Sequence, residues 1–389
     1  MKVRQQQRLE KLLSCPTAPF RETQVVQEVE NQLTSMGMPY FFDAHGNIVV
    51  GTGNEKDYRK RLNKRSDHPV RVFIAHMDHP GFHGVRWLSD SRLSIRWLGG
   101  SPVRHLAGHK VWLATDDGFS AAGTLKKIQL RKDKRAIETA EVELNKAAIP
   151  AQRIAAKKIY GSFDFRAPVW KSGQRIYTRA ADDLVGVFAI LETARAMLRK
   201  GAEQERETFI GLLTRGEEVG FVGAVAHLED GLLTKAKRKV IAVSLEASRT
   251  LPGALIGKGP VVRLGDWRTV FDPGGLKVLS DLATKVLPGA HQRRIMDGGS
   301  CEATAMTAWG ITTIGISIPL GNYHNEGYEG GMDCKAERAP APEFVHMQDI
   351  EGELKLCRAL MKSSLPWGDA WQQQRQRLRR NLARLRKQL

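Results

Sequence analysis

Four β-branched, apolar runs in this chain each lead into a histidine or a carboxylate, and that pattern restricts the available folds more than any other feature. VRVFIAHMD delivers His76 and Asp78, and ETFIGLLTRGEEVGF delivers Glu217 and Glu218. KVIAVSLEAS ends at Glu246, and ITTIGISIPLGNYHN carries His324 just beyond its apolar stretch. Such runs read as strands, and in open α/β sheets ligands bind outside the carboxyl ends of the strands. Between the first two runs, Asp182 and Asp183 open the apolar helix VGVFAILETARAML, whose N-terminus offers a positive dipole to nearby carboxylates. The expected fold is therefore α/β, with a mixed central sheet, flanking helices and His76, Asp182, Glu218, Glu246 and His324 converging on one edge. Four of these five are expected just past strand ends and the fifth where the chain enters a helix.

The remaining texture divides the chain. Val25, Val26, Val29, Leu33 and Met36 recur at helical spacing over residues 22–36, and YFFDAHGNIVVGTG reads as strand, turn, strand. From Gly84 to Lys158 short strand-like pieces (VRWLS, LSIRWLGG, HKVWLAT, AAGTLKKI, AEVELN) alternate with turn signals, as in a small β-barrel inserted into the α/β domain. IYGSFDFRAPVW then leads back to the main sheet. The expected organisation is a discontinuous catalytic domain over 1–83 and 159–368, a β-domain over 84–158, and a basic helix over 369–389. That helix, WQQQRQRLRRNLARLRKQL, spaces Leu378, Leu382, Leu385 and Leu389 along one side. It suits nucleic acid, an anionic surface, a neighbouring subunit or packing on its own protein.

Composition excludes several classes. Cys15, Cys301, Cys334 and Cys357 form no CxxC pair, which argues against a disulfide framework or a thiolate zinc site and fits a reducing, cytoplasmic compartment. No apolar run is long enough to span a bilayer, and the polar residues preceding LLSC leave no signal-peptide core. The excess of 60 Lys+Arg over 42 Asp+Glu, a net charge of +18, would attract polyanions or acidic peptides.

Imidazole and carboxylate ligands without thiolates suit a catalytic pair of zinc, cobalt or manganese ions. One bridging carboxylate can hold two ions about 3.5–4 Å apart with a water clamped between them. Asp182, lying between the other ligands in sequence, is the best bridging candidate. His76 and Glu246 would complete one ion, and Glu218 and His324 the other. The adjacent Glu217 and Glu218 invite a division of labour, one ligating metal while the other moves a proton. Asp78 suits either orientation of the His76 imidazole or capping of a turn, and Asp183 suits the helix N-terminus.

These motifs resemble the co-catalytic zinc exopeptidases, whose fold is phosphorylase/hydrolase-like. Within them they most resemble the deblocking, glutamyl-aminopeptidase-like family that includes the TET aminopeptidases. HMDHPGF is similar to that family's HMDEIGF, ADDLVG to its DDRVG, and RGEEVGFVGA to its QEEVGLRGA. PTAPFRETQVV, DAHGNIVV and GNYHNEGYE fall at matching positions, so the resemblance spans nearly the whole chain except the closing helix. The long gap between His76 and Asp182 leaves room for the β-insert, and the shorter one between Glu246 and His324 leaves none for a lid domain. The resemblance implies two divalent ions per chain, with His76 and Glu246 on one, Glu218 and His324 on the other and Asp182 bridging. It also implies Glu217 as general base, Asp78 as the orienting carboxylate and a cis peptide after Asp182. The chain departs from the family at Glu246, usually Asp, at Leu184, usually Arg, at Cys301–Glu302, usually Thr-Asp, and around HNEGYE.

The function expected from these residues is a metal-dependent aminopeptidase acting on peptides, with a bridging water as nucleophile and a homo-oligomeric assembly. A deacylase or carboxypeptidase-like hydrolase of small N-acylated amino acids would use the same chemistry. A non-catalytic binding protein on the same fold is the alternative of a different class.

Overall fold

The computed structural model describes residues 1–145 and 154–389. Its centre is an eight-stranded mixed sheet in the order β1-β2-β12-β3-β13-β16-β14-β15. The strands are β1 (Tyr40–Phe42), β2 (Ile48–Val50), β3 (Val70–His76), β12 (Phe209–Thr214), β13 (Val240–Arg249), β14 (Val261–Asp266), β15 (Gln292–Met296) and β16 (Thr312–Leu320). β12, β3, β13 and β16 run parallel to one another, while β2 and β14 border this block antiparallel. Every residue of β3 and β12 is buried, as parallel strands covered on both faces require.

Helices supply both covers. One face carries α1 (Val3–Leu13), α2 (Thr23–Met36), α4 (Leu184–Met197), α7 (Pro273–Val286) and α9 (Met347–Leu360). The other carries α3 (Glu55–Asn63), α6 (Val222–Glu229) and α8 (Glu302–Ala308). The short α5 (Glu203–Thr208) leads into β12. α4 is apolar nearly all round, and of its residues only Arg195 is not buried, so it forms the spine of the larger core. α1 docks on it through Arg8, whose guanidinium meets Glu192 at 2.6 Å.

Between β3 and α4 the chain leaves the sheet and builds a closed six-stranded barrel, β4-β5-β8-β7-β6-β9. Its strands are β4 (Gly81–Trp87), β5 (Arg92–Leu98), β6 (Lys110–Ala114), β7 (Ser120–Leu130), β8 (Ile137–Leu144) and β9 (Tyr160–Phe163). Its core is Phe82, Leu93, Ile95, Trp97, Val111, Leu113, Leu125, Val142 and Phe163. The barrel strands reach past the 84–158 range read from sequence at both ends, and residues 146–153 of that range lie outside the described residues. IYGSF does not lead back to the main sheet: Tyr160–Phe163 pairs with β4 and β6 and closes the barrel. The following β10 (Val169–Ser172) and β11 (Arg175–Thr178) join β17 (Glu343–His346) in a separate three-stranded sheet. Closure explains the misreading, because a barrel must recruit a last strand to remove its open edges.

α10 (Gln372–Leu385) ends the architecture. None of its residues is buried, so its leucines do not pack back onto the chain.

Candidate metal centre

The C-terminal ends of the parallel strands gather the sequence candidates. His76 is the last residue of β3, and Glu217 and Glu218 sit in a one-turn helix, Glu217–Val219, just after β12. Gly216 enters that turn at φ 63°, where a side chain would be strained. His324 lies in a similar turn, Tyr323–Asn325, beyond β16. Glu246 departs from expectation, since it lies inside β13 and not past its end. The pairing of β13 with β3 stops at Ser244, while its pairing with β16 continues to Arg249, so Glu246 emerges where β3 has already turned away. Asp182 stands between β11 and α4, and its peptide bond to Asp183 is cis. Asp183 caps α4, accepting the Gly186 N–H at 3.2 Å.

These side chains form two adjoining ligand sets that share one carboxylate. His76, Asp182 and Glu246 offer ligand atoms within 4.8 Å of one another, and Asp182, Glu218 and His324 do the same. His76 Nε2 lies 3.4 Å from Asp182 Oδ1, and His324 Nε2 lies 3.1 Å from Glu218 Oε2 and 3.7 Å from Asp182 Oδ2. Glu217 Oε2 approaches His76 Nε2 at 3.8 Å; Glu217 also groups with His76 and Glu218.

The chemistry of this donor set fits divalent cations. His76 Nε2, Asp182 Oδ1, Glu218 Oε1 and Glu246 Oε2 are buried and have no hydrogen-bond partner among the described residues. Four ligand atoms orphaned around one point is a costly arrangement unless something else binds them. Burial pushes the carboxyls of Glu217 and Glu246 well above their usual range, and the neighbouring carboxylates add to it. Burial works against protonation of His76, but Glu217, Asp182 and Asp78 outweigh it and lift the imidazole well above its ordinary value. The cluster is thus short of positive charge, which two ions would supply.

The supporting hydrogen bonds fix the ligands. His76 Nδ1 donates to the Asp78 backbone carbonyl at 3.0 Å, which turns Nε2 toward the other candidate ligands. The Asp78 carboxylate, 3.7 Å from the same ring, accepts the N–H groups of Glu217 at 2.9 Å and Glu218 at 3.2 Å. It therefore contacts the glutamate turn as well as the imidazole. Sequence reasoning missed Glu343, whose carboxylate accepts the N–H groups of Ala181, Asp182 and His324 at 2.7, 3.1 and 2.9 Å. It also missed His79, which donates to the Asp182 carbonyl at 2.8 Å. His79 could have been suspected from its place in HMDHPGF, but nothing in APEFVH marks Glu343.

The barrel reaches the centre through the loop after β5. A Cβ on Gly100 would lie 2.2 Å from His324 Nδ1. The Gly100 carbonyl accepts the Trp97 indole N–H at 2.9 Å, and Arg131 donates to the Gly99 carbonyl at 3.0 Å.

Beside Glu246 opens a narrow cleft lined by Ser248, Leu251, Met296, Gly299 and Tyr323, among others. Arg263 is buried on its wall, with Nη1 4.0 Å from Glu246 Oε2, and neither Nε nor Nη1 has a hydrogen-bond partner among the described residues. Cys301 and Glu302, where the chain departs from the family pattern, are both buried close by. Glu302 accepts from the Thr214 hydroxyl, and burial pushes its carboxyl up to about 7.

A family model described as M42 glutamyl aminopeptidase matches residues 59–329. No curated protein matches the chain. Among solved structures it is similar to aminopeptidase APDkam598 from the archaeon Desulfurococcus kamchatkensis, at 22% identity and a TM-score of 0.71, covering 93% of this chain and 97% of that one. It is similar to the Pyrococcus horikoshii TET1 peptidase, which assembles into a tetrahedron or an octahedral shell, at 21% identity and a TM-score of 0.67, covering 92% and 99%. A TET aminopeptidase from a marine-sediment thaumarchaeon matches at 18% identity and a TM-score of 0.71, covering 94% and 98%. At these identities the structural likeness speaks for the fold.

Proposed function

The chain belongs to the M42 glutamyl aminopeptidase family and is a metal-dependent peptide hydrolase; from that premise we propose a two-metal aminopeptidase in which Glu217 moves the proton. His76, Glu246 and Asp182 would hold one divalent ion, and Glu218, His324 and Asp182 the other. When bound, such a pair polarises the scissile carbonyl and makes a water nucleophilic near neutral pH. The observation that carries this reading is the pair of ligand sets sharing the buried Asp182.

The remaining work falls to the protein's own groups. Glu217 belongs to neither of these two sets, and its carboxylate would take a proton from the attacking water as the new C–O bond forms. It would then return that proton to the peptide nitrogen as the C–N bond breaks, so that a free amine departs. Asp78 holds the Glu217 backbone and keeps its carboxylate facing the reacting atoms. Glu343 and His79 hold the Asp182 backbone in the same way. Burial of all these groups excludes bulk water, which strengthens each electrostatic contact.

Arg263 would set substrate choice. Its guanidinium, paired only loosely with Glu246 beside the cleft, suits an acidic side chain on the N-terminal residue. The same cation suits the free carboxylate of an N-acylated amino acid, which keeps the deacylase reading as the alternative. Glutamyl peptides cleaved in preference to N-acylglutamate would support the aminopeptidase, and the reverse order the deacylase. We further propose that the chain assembles into homo-oligomers, as the TET1 peptidase does, and works in the cytoplasm.

The test is metal content together with amino-acid release from a peptide pool, with zinc, cobalt or manganese added. Glu217→Gln should bind two ions per chain yet lose about 10²–10⁴-fold in kcat. Full turnover in that variant, or wild-type protein that takes up no metal, would end the reading.

A further inference from the structure

The closing helix is an amphipathic surface that the proposed function leaves unused. Trp367 is buried and its carbonyl accepts from Lys239, so the chain is anchored there; four residues later, at Trp371, it has left the core. Beyond that point Leu378, Leu382 and Leu385 are 55, 52 and 44% exposed, and Leu389 is fully in solvent. At about 100° per residue Leu378, Leu382 and Leu385, all within the α-helix, fall within roughly 60° of one another. Arg375, Arg379 and Arg386 flank the stripe on one side, Arg377 and Arg384 on the other. Residues 370–389 hold seven cations and no Asp or Glu. Of these seven cations only Arg375 has an anionic partner among the described residues, Asp369.

Charge chooses between the surfaces that could cover this stripe. A second copy of the helix would bring seven cations against seven. Nucleic acid would neutralise the arginines but leave the leucines in water. An anionic bilayer surface meets both demands, since a helix lying in the headgroup plane buries its apolar side among acyl chains and turns its cations to lipid phosphates. Trp371, 41% exposed at the helix start, has the amphipathic ring that favours the same depth. No described helix is long and apolar enough to cross a membrane, so the contact would be peripheral.

We propose that residues 371–389 dock this protein on the surface of an anionic phospholipid bilayer, the leucine stripe entering the headgroup region and the flanking arginines binding lipid phosphate. The experiment is co-sedimentation of the full chain with vesicles of phosphatidylcholine alone or with about 30% phosphatidylglycerol, in about 150 mM salt. Binding to the anionic vesicles should exceed binding to the neutral ones by at least about tenfold and weaken as salt rises. Two full-length variants separate the contributions: Leu378→Ser with Leu382→Ser and Leu385→Ser, and Arg377→Gln with Arg379→Gln and Arg384→Gln. Both should lose anionic-vesicle binding while keeping the wild-type thermal midpoint. Equal binding to neutral vesicles, or no binding to either, overturns the proposal. So does a triple-serine variant that binds like wild type, which would mark a simple polyelectrolyte contact. A triple-serine variant that changes subunit number in light scattering and still binds vesicles would reassign the stripe to another copy of the chain.

Discussion

At the scale of single residues, the centre divides into groups legible in the sequence and groups that are not. His76, Asp182, Glu218, Glu246 and His324 could be read because four of them follow or end an apolar run and Asp182 opens one, and the structure gathers all five. Glu343 and Arg263 could not, because their meaning lies in what reaches them from distant parts of the chain. Glu343 holds backbone groups more than 160 positions away, and Arg263 is an unremarkable strand residue until β14 places it beside Glu246. Two predictions belong here. Glu343→Ala leaves three N–H groups, two of them buried, without an acceptor and should cost about 2–4 kcal/mol of stability, measured by urea unfolding, with a loss of metal occupancy. Arg263→Met should lower kcat/KM for glutamyl peptides by about ten- to a hundredfold while leaving leucyl peptides nearly unchanged. A uniform loss on both substrates would give Arg263 a structural role only.

At the scale of elements, the barrel strands were visible as short runs between turn signals, but not the strand that closes them. β9 has the same texture as a strand returning to the main sheet, and only its pairing with β4 and β6 tells the two apart. The barrel also carries a titratable group the sequence does not flag. His109 is buried between Phe163 and Phe165, with its Nε2 unpartnered. Burial pushes its imidazole down to about 4, and Lys335 adds to the effect. Because the folded value lies below the unfolded one of about 6.5, protons favour unfolding as pH falls through that interval. Between pH 7 and pH 4 this residue should remove about 2–3 kcal/mol of stability, and that share should vanish in His109→Leu when the two proteins are compared by denaturant titration. The loop after β5 yields another prediction. A methyl on Gly100 has no room beside His324, so Gly100→Ala should weaken the ion held by Glu218 and His324 by about 10–100-fold while sparing the ion held by His76 and Glu246. Stepwise cobalt titration would resolve the two.

On the scale of the whole molecule, net charge was legible, whereas the distribution of that charge was not. A value of +18 says nothing of the deficit of positive charge at the centre, where carboxylates outnumber their cations. Removing divalent ions with a chelator should therefore lower the thermal midpoint, and resupplying zinc or cobalt should restore it with the concentration dependence of a ligand that binds only the folded state. The barrel gives this dependence a second reading. Its first strand begins five residues after His76, and its Gly100 loop abuts His324, so it follows one proposed ligand closely in the chain and packs against another. Metal affinity and barrel seating then form a thermodynamic cycle, and coupling in such a cycle is reciprocal. Ions that draw the two histidines inward should tighten the seat of the barrel and slow amide exchange at Gly99 and Gly100, measured with and without added zinc. A subunit or antibody that clamps the barrel raises the affinity for those ions by the same factor.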